Sequence, residues 1–154
     1  RCNDYRNCVS AQKKLGGGVL LELSHEIDYL LTILKNEPTH KNIIKEKLSD
    51  LDIDVEDTSI ITLKFNNIIA LISIDMINKR KNRTCEIIGS DATILLDFIE
   101  NKIGLYDDNN PQIFNYEPEN LLLNELNYFF ECVKNKDYTN ISLFNAINVL
   151  KIIK

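Results

Sequence analysis

No apolar run in this 154-residue sequence approaches the roughly 20 residues that a membrane-spanning helix requires, which excludes a helical membrane protein. Cationic charge is also in short supply. Lys and Arg number 18 against 23 Asp and Glu, giving a net charge of -5 and a pI near 5.1. That balance argues against a surface that tracks nucleic-acid phosphates, so no nucleic-acid partner is expected; the local run Lys79, Arg80, Lys81, Arg83 reads as a solvated turn. The four cysteines, Cys2, Cys8, Cys85 and Cys132, contain no pair with the two-residue gap of a zinc knuckle or redox motif. A reduced, cytoplasmic chain with no metal site fits them, with Cys85 and Cys132 acting as small buried hydrophobes. There is neither an initiator Met nor a secretory leader at Arg1-Cys2-Asn3, so the chain reads as a piece of something longer.

What is present is the composition of a globular protein, 44% hydrophobic and 27% charged, at a length suited to one domain over residues 1–154. Residues 1–15 read as a polar loop. From Val19, the residues Leu20, Leu23, Ile27, Leu30, Leu31 and Leu34 recur at helical spacing until Pro38, predicting one helix over about 17–36. Asn42 to Leu48 fits helix or strand. After the acidic run Asp50 to Asp57, Ser59–Phe65 and Ile68–Ile77 read as a hairpin around Asn66-Asn67. Strands over Thr84–Gly89, Thr93–Ile99 and Lys102–Tyr106 follow, making an antiparallel meander. Two closing helices are expected, at about Pro118–Asn135, with Leu122, Leu126, Phe129, Phe130 and Val133 as its buried stripe, and at about Ser142–Ile153.

The strand Ile68–Ile77 is apolar on both sides, whereas a sheet with one wet face alternates cleanly. Helices can cover one side. A second subunit laid sheet to sheet covers the other most economically, predicting a homodimer or higher homo-oligomer, although strands from elsewhere in the same chain would serve as well.

The candidate chemistry sits in "GGGVLLELSHEIDYLL", Gly16 to Leu31. At 100° per residue Glu22, His25, Glu26 and Tyr29 share the side opposite the leucines, and Asp28 lies one turn from His25. A histidine among carboxylates suits proton transfer near neutral pH if a substrate reaches it; the same face is otherwise a solvated surface. His40 reads as a loop residue. The glycines follow a loop and lack the spacing of a dinucleotide fingerprint or a P-loop. They can cradle an anion, or let bare backbone lie close to another element.

Four stretches, "LGGGVLLELSHEIDYLL", "DIDVEDTSIITLKF", "RTCEIIGSDATILLDF" and "NELNYFFECVKN", together resemble the C-terminal domain of the Gfo/Idh/MocA oxidoreductases, the family of glucose-fructose oxidoreductase and inositol dehydrogenase. The resemblance implies an α+β fold: an open, mainly antiparallel sheet with helices packed on one face and the other available for dimerisation, Asn42–Leu48 supplying a strand. It also implies a two-domain parent whose N-terminal Rossmann domain binds NAD or NADP, and a small-molecule substrate whose hydroxyl or keto group belongs to a sugar, cyclitol or nucleotide sugar. His25 matches the family's catalytic histidine. The family's Asp four residues earlier falls on Leu21, and Glu22 stands in as the acid. Tyr5 and Arg6 fall in the substrate-facing loop, where Arg6 suits an anionic or sugar-phosphate group, and Asp28 and Tyr29 join the substrate-binding set. The partner lysine of a Glu-Lys-Pro motif is absent from these residues, so the fragment alone is expected to be inactive. The alternative is a non-catalytic dimerisation or ligand-binding module of the same fold.

Overall fold

The structure, a computed structural model, describes residues 4–108, 110–117, 119–138 and 143–154. Three single 3-10 turns, Tyr5–Asn7, Val9–Ala11 and Lys13–Leu15, lead into α1 (Val19–Glu22) and α2 (His25–Leu34). Then come β1 (His40–Glu46), β2 (Thr58–Lys64), β3 (Ile69–Asp75), β4 (Thr84–Ile88), β5 (Thr93–Asp97), β6 (Lys102–Tyr106), β7 (Gln112–Asn115), α3 (Leu121–Asn135) and α4 (Leu143–Ile153). These elements form two compact units. The first holds everything up to Asn78 together with α4, and the second begins at Lys79 and ends with α3.

In the first unit β1, β2 and β3 form an antiparallel sheet in that order. Its register aligns Ile43, Ile61 and Ile72 in one row across the strands. Those residues point at the helices, where Val19, Leu20, Ile27, Ile61, Leu63, Phe65, Ile74, Val149, Ile152 and Ile153 form one buried cluster. The opposite face is open: Ile44, Ile60, Ile69 and Leu71 are exposed by 55, 41, 73 and 69%. The two-sided apolar pattern thus corresponds to one face under α1, α2 and α4 and one face bare. The hairpin closes through Phe65 N–H to Ile68 C=O at 2.8 Å, but neither Asn66 nor Asn67 takes a positive φ.

The second unit is an antiparallel meander β4-β5-β6-β7, so the strands divide between two sheets. The strand β7 leaves no periodic signal in the sequence, since Gln112–Asn115 is four exposed residues without alternation. Asn101 turns β5 into β6 with φ of 54°, and Arg83 stacks on the Phe98 ring at 4.8 Å. The basic residues Lys79 to Arg83 lie exposed, as a solvated turn should.

Three expectations need correction. The helix over 17–36 is broken into α1 and α2 at Leu23 and Ser24; Leu20, Leu23 and Ile27 stay on one side through the break, so apolar spacing does not register it. The stripe on α3 is not buried: Leu122, Leu126, Phe129, Phe130 and Val133 are all more than half exposed, and of that helix's residues only Cys132 is buried. Periodicity identifies an apolar face but not what lies against it. Finally, His40 opens β1 and is not in a loop; Pro118 and Ser142, expected as helix starts, lie outside the described residues.

Candidate functional site

The glycines are shaped by the acidic loop between β1 and β2. Val19 N–H donates to the Glu56 carbonyl at 3.1 Å, and Leu20 N–H approaches the Glu56 carboxylate Oε1 at 3.4 Å. Gly18, at φ 109°, leaves room for that carboxylate; a Cβ there would fall on it. At Gly17 a Cβ would fall on the carbonyl oxygens of Val9 and Ser10. Close backbone approach is therefore what these glycines provide. A carboxylate already stands at the α1 N-terminus, so the residues present do not fit the pyrophosphate of a dinucleotide, nor a free phosphate, at this place.

The same loop is fixed by Asp57, which is fully buried. Its carboxylate accepts from Leu48 N–H and Ser49 N–H at 2.9 Å each, from Ser49 Oγ at 2.5 Å and from Thr58 Oγ1 at 3.0 Å. Burial pushes its pKa up, but hydrogen bonds from Leu48, Ser49 and Thr58 win and lower it to about 2. Asp57 N–H also donates to Glu46 C=O, and Met76 N–H to Asp57 C=O, so one residue ties the loop to all three strands. Nothing in the sequence separates Asp57 or Glu56 from the other acids around them. Their importance comes from partners that only the folded chain brings near.

The break between α1 and α2 sets His25 at the first position of α2, where its side chain is half exposed and not packed into the core. Its Nε2 lies 3.0 Å from Glu26 Oε1, and the Glu26 side chain is only 13% exposed. Glu22, assigned as the acid, is exposed on α1, and no hydrogen bond or ion pair joins it to His25 among the described residues. Tyr29 is half-buried one turn on.

The other candidates lie elsewhere in this unit. Tyr5 accepts through its hydroxyl from Asp52 N–H at 3.1 Å. Arg6 is clamped on Asp4, with Nε to Oδ1 at 2.9 Å and Nη2 to Oδ2 at 2.7 Å, and Asp52 Oδ2 lies 3.9 Å from Nη1. The Arg6 hydrogen bonds hold the Asp4 carboxyl below its ordinary value and raise the guanidinium further. In this arrangement the Arg6 fork already has an anion, supplied by the chain itself. Asp28 lines an open cleft of about 410 Å³ with Leu31, Thr32, Lys35, Asn145 and Asn148, towards the far end of α2 from His25. The structure thus brings together His25 and Glu26, ties Tyr5 and Arg6 to the acidic loop, and sets Asp28 on a cleft that His25 does not line.

An α+β domain with a glycine-led helix pair and an exposed histidine at the break defines a class. The model of the GFO/IDH/MocA C-terminal domain matches residues 4–95, and the chain belongs to that family. Among solved structures, UDP-N-acetylglucosamine 3-dehydrogenase GnnA from Acidithiobacillus ferrooxidans is similar at a TM-score of 0.72 and 17% identity, over 83% of this chain and 42% of that one. A protein from Desulfitobacterium hafniense, assigned as an NADPH-dependent oxidoreductase, gives 0.81 at 14% identity over 96% and 47%. GenD2 from gentamicin A biosynthesis, solved in complex with NAD, gives 0.75 at 18% over 94% and 46%. At these identities the likeness is one of fold, and the chain spans less than half the length of each of these structures. No curated protein matches the chain. Among the described residues no helix is long and apolar enough to cross a membrane, and no group of His, Cys, Asp and Glu is placed to hold a metal ion.

Proposed function

We propose that this chain is the substrate-binding and oligomerisation domain of an NAD(P)-dependent oxidoreductase acting on a hydroxyl or keto group of a sugar, cyclitol or nucleotide sugar. The observation that carries the reading is His25 in a chain of this family: at the first position of α2, just beyond the glycine-led α1, half exposed, with Nε2 3.0 Å from the Glu26 carboxylate. Its role is to take or return the proton of the substrate hydroxyl. NAD or NADP, when bound, supplies the hydride acceptor or donor. The Glu56 carboxylate takes the α1 N-terminus, so the dinucleotide is not held there, and the reading assigns it to the Rossmann domain of the parent. Alone, the chain is then inactive. The bare face of the β1-β2-β3 sheet, with Ile69 and Leu71 most exposed, supports pairing with a second copy; light scattering should report a dimer, and a monodisperse monomer would remove that part.

The test is turnover of the parent protein with NAD and NADP against a panel of sugars, cyclitols and nucleotide sugars. Cofactor reduction with one class is expected. No reduction with any, together with a parent lacking both a Gly-x-Gly-x-x-Gly fingerprint and a Glu-Lys-Pro motif, would leave a binding or dimerisation module.

A further inference from the structure

We infer that Glu26 is a positioning residue for His25, holding Nε2 so that Nδ1 is the nitrogen that exchanges a proton with the substrate hydroxyl. The inference rests on the proposed role of His25 and adds to it the identity of the reacting atom.

Adjacent residues in the middle of a helix do not face each other. Here His25 is the first residue of α2, just beyond the break at Leu23 and Ser24, and its Nε2 lies 3.0 Å from the carboxylate of the next residue. An ionised carboxylate has only lone pairs to offer, so at 3.0 Å the imidazole nitrogen facing it is the one that carries the proton. That fixes the neutral ring as the Nε2–H tautomer and leaves the Nδ1 lone pair as the base. The burial is unequal in the direction the role requires. The Glu26 side chain is 13% exposed, whereas that of His25 is 50% exposed and open to an incoming molecule. A largely buried carboxylate is also the group that balances the positive charge arising on the ring when Nδ1 takes up the proton. Neither Glu22 nor Asp28 has this relation to the ring among the described residues.

The chain contains two histidines, so a sample labelled with ¹⁵N in the imidazole rings reports His25 with His40 as an internal control. At a pH where both rings are neutral, the wild-type His25 ring should carry its proton on Nε2 alone. Glu26→Ala should raise the Nδ1–H form at least several-fold, and Glu26→Gln, whose carbonyl still accepts, should restore the wild-type pattern; the His40 signals should not move in any of them. In the parent enzyme Glu26→Ala should lower kcat by about tenfold or more, a fraction of the 10²–10⁴-fold typical of general acid–base catalysis, with KM within about twofold and Glu26→Gln mostly rescued. An unchanged tautomer mixture in Glu26→Ala overturns the pairing. A shifted mixture with unchanged kcat, in an enzyme that His25→Ala disables, overturns the positioning role alone. Full turnover by His25→Ala overturns the catalytic reading itself, and the inference with it.

Discussion

Replacing Asp57 by Asn removes a charge that the fold has surrounded with donors. In the native chain the carboxylate takes four hydrogen bonds, two from backbone N–H groups and two from hydroxyls. Its pKa falls from the ordinary 3.8 to about 2. At about 1.36 kcal/mol per unit that difference corresponds to roughly 2.4 kcal/mol, and water beside the exposed Leu48 loop screens it to about 1–2 kcal/mol. The sign follows from proton counts. Between the two pKa values the unfolded chain binds more protons at this site, so stability rises with pH there. The contribution is complete above about pH 4–5 and disappears as pH falls through about 2. Urea unfolding of wild type and Asp57→Asn, measured side by side from pH 7 down to 2, isolates this group because the remaining titrations cancel. The variant should be less stable by about 1–2 kcal/mol at pH 7, with the gap closing between pH 4 and 2. A gap that stays constant over that range would refute the electrostatic account and leave a packing defect in its place.

Two further outcomes test the fold. Gly18→Ala forces a side chain onto a backbone at φ 109° and into the Glu56 carboxylate, and should cost roughly 1–3 kcal/mol in thermal unfolding, whereas Gly16→Ala, at φ 80° with open space around it, should cost less; equal or reversed costs would remove the close-approach argument. Phe130→Ala on the exposed face of α3 should change the stability of this chain by less than about 0.5 kcal/mol, against roughly 2–5 kcal/mol for Ile61→Ala in the core; a large loss at Phe130 in chemical denaturation would mean that the face is covered.

Much of the scaffold was legible because it rests on local periodicity. The leucine stripe of residues 20–34 and the alternation in Ser59–Phe65 each predict which residues face the core, and Leu20, Ile27, Ile61 and Leu63 are nearly inaccessible. The division of the strands into two sheets was not legible, since a meander read from turns says nothing about where hydrogen bonding stops. Nor was the break before His25, where an apolar spacing of three and then four residues continues through the two turn residues Leu23 and Ser24. The candidate site was half legible. His25 stands out by residue type and surroundings, while its observed partner is the next residue, a pairing that helical spacing does not predict. The glycines were readable as permissive backbone, but their neighbour Glu56 lies 38 positions away from Gly18 and shows itself only in three dimensions.

The central claim is that His25 moves the substrate proton, and single-turnover kinetics of His25→Ala in the parent oxidoreductase test it most directly. Turnover should fall by about 10²–10⁴-fold while the affinity for NAD or NADP stays within about twofold. A variant that turns over at the wild-type rate would reduce His25 to a surface residue and contradict the account.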